Sequence, residues 1–187
     1  MILSLCQWAQ STAFFTAIRG SWYVYPGIMA THLLGIAFFG GMILITDMRL
    51  LGFAMRNRAI SDVVDQLRVP KRVGLLIVAT CGILMLGSKA EEYYYNIFFR
   101  IKLVLLLCVF LHGMIFRGSV YMNAAALDRA AKVPGRAKLA AFLSLLLWTG
   151  IACAGRGIGY IEPPLERIHA MVRGPLPPSR LGTGPRP

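Results

Sequence analysis

Long stretches without a charge, each closed by basic residues, set the pattern of this chain. No Asp, Glu, Lys or Arg occurs between Arg19 and Asp47, which is ample to cross a bilayer as a helix at 1.5 Å per residue. Trp22, Tyr23 and Tyr25 stand at one end of the run, where amphipathic rings favour the headgroup layer. Asp47 and Arg49 close the other end. A first span over about 22–47 follows. The second, over about 72–89, is short. Only Val73 to Ser88 is uncharged, so Arg72 and Lys89 must snorkel outward. In the third, Phe98 and Phe99 precede Arg100 and Lys102, an apolar run ends at Arg117, and GSVYMNAAAL continues uncharged to Asp128. That helix crosses over about 95–117, or deeper, from about Ile101 to Leu127. A fourth span, over about 138–156, contains Trp148 and no histidine.

The segments around the spans have their own periodicities. In residues 1–19, Ile2, Leu5, Trp8 and Ala9 can share a helical face with Phe15 close by. This predicts an amphipathic helix lying in the interface, or else an extension of the first span. Residues 20–157 then form a four-helix bundle. Ser61, Val63, Val64 and Leu67 predict a short amphipathic helix in the loop after span one, and KAEEYYYN a tight acidic turn with a second aromatic belt. Residues 158–187 comprise a surface helix, LERIHAMVRG, and a tail rich in Pro, Gly and Arg. Such a tail lacks the apolar content to fold alone, so an ordered tail implies a partner chain.

Composition agrees with a membrane protein: 57% of residues are hydrophobic and the mean hydropathy is +0.62. A net charge of +12 would suit a nucleic-acid partner, but the bases gather between the apolar runs and form no basic domain. That placement encodes orientation instead. The segments 49–72 and 117–138 carry most of the basic residues, whereas the 89–96 hairpin carries only Lys89. A bacterial cytoplasmic membrane with both termini outside is the expectation. The N-terminus has neither a basic n-region nor a cleavage site of the secretory kind. Cys6, Cys81, Cys108 and Cys153 are scattered without a CxxC, and no HExxH or Ser–His constellation lies in the apolar runs.

The chemistry left over is histidine. An imidazole in hydrocarbon is expensive unless it is bonded to something. His32 and His112 lie in spans one and three, which run parallel and diagonal in an up-down bundle, and His169 lies in the tail. If Arg19 and Arg100 mark one boundary, both imidazoles reach a similar depth and suit the axial ligands of one haem b. Gly35, Gly40 and Gly113 would make room for the porphyrin, and Arg100, Lys102 or Arg117 would meet its propionates. If the third span ends at Arg117, however, His112 lies near the inner edge and His32 well outside it. The histidines then have separate or packing roles. Met29, Met42, Met48, Met55 and Met85 are soft contacts that would suit copper transport, but no MxxM occurs.

The segment HLLGIAFFGGMILITDMRLLG, His32 to Gly52, and NIFFRIKL, Asn96 to Leu103, resemble an uncharacterised family of small bacterial four-span membrane proteins. Lys102 is also reminiscent of the copper-resistance-protein D-like membrane domain. The resemblance covers about residues 15–160 and implies the fold, not the activity. The sequence thus predicts an all-α four-helix membrane bundle that binds haem b and passes electrons, alone or in a larger complex with a redox partner. The alternative is a non-redox accessory subunit, and Asp47 with Arg49 forms a solvent-screened surface pair in either case.

Overall fold

The computed structural model describes residues 1–116, 118, 120, 122, 124–130, 133–161 and 163–165. Nine helices and no strand occur among them. The N-terminal segment is two helices, α1 (Ile2–Ser11) and α2 (Ala13–Gly20). They part at Thr12, whose backbone is extended. The Ser11 and Thr12 hydroxyls donate to the carbonyls of Trp8 and Ala9, so side chains replace the next helical turn.

The first span is α3 (Val24–Leu51), which runs about one turn past the Asp47 that closes the uncharged run. It ends on Gly52, whose φ of 83° is the left-handed cap that glycine adopts without strain. A short helix, α4 (Ile60–Gln66), precedes the second span, α5 (Arg68–Ser88). The expected acidic turn is a helix, α6 (Ala90–Tyr95), with Glu91 and Glu92 in its first turn, where carboxylates favour helix formation. The third span is α7 (Ile97–Phe116). Asn96 sets its start: Oδ1 accepts from the Phe98 and Phe99 amides, and Nδ2 donates to the carbonyls of Ile158 and Ile161. After α8 (Ala124–Arg129), the fourth span is α9 (Gly135–Tyr160), entered through Pro134. Arg117, LERIHAMVRG apart from Leu165, His169 and the Pro-rich tail lie outside the described residues.

Helices α3, α5, α7 and α9 are each long and apolar enough to cross a bilayer. Leu34, Phe38, Leu76, Ile83, Leu107 and Phe110 stand exposed along them, as lipid-facing side chains do. The chain is an all-α, multi-pass membrane protein.

Antiparallel packing joins α3 to α5, α3 to α9 and α7 to α9, whereas α5 and α7 form no packed pair. Gly35 admits Val78 and Ile77, Gly74 admits Phe39, and Gly150 admits Leu105. The glycines therefore serve close helix approach. The densest core lies at the end bearing α4 and α8, where Leu50, Ile60, Phe116, Val120 and Leu127 close on Ala137, Ala140 and Ala141. At the opposite end α1 and α2 pack on α5 and α6, with α2 also against α3. Gln7 donates to Glu91, Arg19 donates to the Ser88 carbonyl, and Phe15 lies over Gly87.

Candidate functional site

Polar side chains enter the apolar interior in two places, one toward each end of the bundle. The first is centred on His32, two turns into α3 from the α6 end. The residue is buried, with 8% of its surface exposed. It lies against α5 at Gly82, where an added Cβ would meet Cε1 at 3.4 Å. The backbone of Val78 is within hydrogen-bonding reach of the ring. Nδ1 is buried and has no hydrogen-bond partner among the described residues. In the tautomer that carries its proton on Nε2, Nδ1 is a bare acceptor.

Lys102 belongs to the same place. It sits in the second turn of α7, and its ammonium is close enough to His32 for the two to interact electrostatically. No carboxylate pairs with it among the described residues. A cation beside an unpartnered imidazole disfavours a bare metal ion and favours an oxygen bearing partial or full negative charge.

At the α4 end the interior polar groups satisfy one another more fully. Asp47 is only 2% exposed; its carboxylate bonds to Ser144 on α9 and faces Lys71 on α5. Lys71 Nζ donates to Thr46 Oγ1 at 2.5 Å, and the Thr46 hydroxyl donates to the Met42 carbonyl. Asp47 Oδ2 is left without a partner among the described residues. The expectation of a screened surface pair with Arg49 is therefore corrected. Arg49 turns away and donates from Nε and Nη2 to the Arg58 carbonyl. Sequence spacing hid the true partners because they come from two other helices.

His112 is at this same end. Its Nε2 lies 2.9 Å from the Ala140 carbonyl oxygen and its ring packs on Phe116. That contact makes Nε2 the protonated nitrogen and the residue a tie between α7 and α9. The two histidines are consequently far apart. Asp47 is roughly 22 Å along α3 from His32 at 1.5 Å per residue. Its partner Ser144 is one turn closer to the α6 end than Ala140, where His112 is bonded. One iron cannot take both imidazoles as axial ligands, so the shared-haem pairing does not fit this chain. The assumption that Arg19 and Arg100 mark equal depth led to it.

The remaining residues expected around a haem are dispersed. Gly35 is filled by Val78, while Gly40 and Gly113 have no neighbouring atom within 4 Å of an added Cβ. Arg100 donates to the Tyr94 carbonyl and stacks over that ring, away from His32. Met42 is buried, whereas Met29 and Met55 are exposed. No group of three or more His, Cys, Asp or Glu able to hold a metal occurs among the described residues. What the fold does bring together, and what spacing alone does not reveal, is His32 with Lys102.

No curated protein and no solved structure is significantly similar to the chain. A sequence family described as "Family of unknown function (DUF6644)" matches residues 5–161, which takes in all but the first residues of α1, the whole of α2 through α9, and both polar clusters. The chain belongs to that family.

Proposed function

We propose that this chain is a small binding subunit of a bacterial cytoplasmic membrane, placed within an electron-transfer assembly, with its ligand site at His32. The observation that carries this reading is the buried Nδ1 left without a partner. An intramembrane polar atom held dry and unsatisfied is expensive, and ligand binding is the ordinary compensation. Helix α7 supports the assembly part of the reading. Apart from His112 and Phe116, none of its residues is buried within the chain, so much of its length is free for lipid or another subunit. By the positive-inside rule the basic α4 end faces the cytoplasm and the α6 end faces outward.

The test is purification from membranes in mild detergent, followed by optical spectra and solvent extraction of whatever is bound. The wild-type protein should carry a lipid-soluble or chromophoric ligand. His32→Ala should lose it, and His112→Phe should keep it. Wild-type protein free of any ligand, or a ligand retained equally by His32→Ala, overturns the assignment.

A further inference from the structure

We infer that the His32 site takes the oxygen-bearing head of a lipid-soluble molecule, of the quinol or phenol class, which enters between α5 and α7. The inference rests on the reading of His32 as the ligand site and specifies what that ligand is.

Three observations converge. First, Nδ1 of His32 is buried with no partner among the described residues, and in the tautomer protonated at Nε2 it matches a hydroxyl hydrogen. Second, Lys102 on α7 lies within electrostatic range of His32 and has no carboxylate partner among the described residues, so it matches an oxygen acceptor. A donor and an acceptor oxygen on one small ring satisfy both, whereas a metal cation would satisfy the imidazole and be repelled by the ammonium. Third, α5 and α7 are the adjacent spans that the bundle leaves unpacked against each other. Leu76, Ile83, Leu103 and Leu107 on these two helices are exposed. A lipid-soluble ring reaches His32 from the bilayer by that side without crossing water.

The depth is consistent with such a ligand. His32 lies eight residues into α3 and Lys102 five into α7, so both are roughly 7–12 Å inside their helix ends at 1.5 Å per residue. This is within one leaflet, below the headgroups, where the polar end of a hydrophobic ring compound resides. A fatty carboxylate carries oxygen chemistry of the same kind and could come from the same bilayer. Its ionised head has acceptors only, so it satisfies Lys102 and offers no hydrogen to Nδ1.

The experiment uses the full chain in lipid nanodiscs with Trp8→Phe and Trp22→Phe, leaving Trp148 as reporter. Trp148 packs on Phe39 at 5.3 Å between ring centroids, two turns along α3 from His32. Short-chain benzoquinol and benzoquinone and a fatty carboxylate of equal chain length are titrated separately. Saturable quenching by the quinone–quinol pair is expected, weakened about tenfold by His32→Ala and by Lys102→Met and restored by Lys102→Arg, as for a charge-assisted hydrogen bond. The fatty carboxylate should compete only weakly. Tighter binding of the carboxylate than of the quinol overturns the ring-compound assignment and leaves His32 as a ligand site. Quenching that is linear in added quinone and equal in all variants is partitioning into lipid and overturns the inference. A ligand lost from His32→Ala but held fully by Lys102→Met overturns the two-point head recognition while leaving the proposed function standing. No His32 dependence for any ligand, native or added, removes both.

Discussion

Removing the Asp47 carboxylate would leave the buried Ser144 hydroxyl without its partner and take away the charge that faces Lys71. Leaving a buried polar group unpaired typically costs about 1–3 kcal/mol, more than a screened surface pair contributes. Asp47→Ala should therefore lower the thermal midpoint in detergent sharply. The double variant Asp47→Leu with Lys71→Met should recover most of the loss, because apolar residues of similar volume need no counter-charge. A single variant as stable as the wild type would mean that Asp47 and Lys71 do not depend on each other. Lys102 stands in contrast, for no carboxylate faces it among the described residues as Asp47 faces Lys71. Its substitution should alter ligand affinity and leave the midpoint nearly unchanged.

Among the elements, α4 shows how a short helix is held without its own cap. Its N-cap residue is Ala59, which offers no side-chain acceptor. Asp128, in α8, accepts the amides of Ile60 at 2.5 Å and Ser61 at 3.0 Å instead. Its carboxyl is held below the usual 3.8: burial, the largest single cause, would raise it, but hydrogen bonds from Ser61 and Ile60 and the nearby Arg49 charge together outweigh it. A lowered folded value means the latch is fully present above pH 3.8 and is lost as pH falls through the lowered value. Protection factors of the Ile60 and Ser61 amides, taken relative to intrinsic exchange at each pH, should thus stay high at neutral pH and fall only in strong acid. Asp128→Asn should lower them at every pH.

These elements also show where sequence is informative. The four spans are legible because hydrocarbon forbids unpaired backbone and charge over a fixed length, a constraint local to each segment. The α6 helix was hidden by its acidic, tyrosine-rich composition, which suits a turn as well as a helix start. His32 stood out as a polar residue in an apolar run. Its company did not, since the register of α7 against α3 depends on Asn96 bonding to the far end of α9.

For the whole molecule, orientation is the first measurable quantity. In a cysteine-free background, a thiol placed at Trp22, which is 89% exposed, should react with an impermeant reagent outside intact cells. One placed at the exposed Asn57 should react only after the membrane is opened. The reverse labelling would invert the assignment of the two ends.

The missing seam between α5 and α7 has a mechanical consequence. The chain is two helical hairpins, α3 with α5 and α7 with α9, bound along a single spine where α3 meets α9. The buried cluster and the Asp128 latch clamp this book at the α4 end. Opening must then pivot there, with a displacement that grows with the lever arm toward His32. Pairs of spin labels at Ile83 and Val104 should show a broader distance distribution than pairs at Leu75 and Ile115, nearer the clamp. A quinol bound between the covers should narrow only the first. The ligand would close the book on itself, and its residence time would be set by how often the spine flexes.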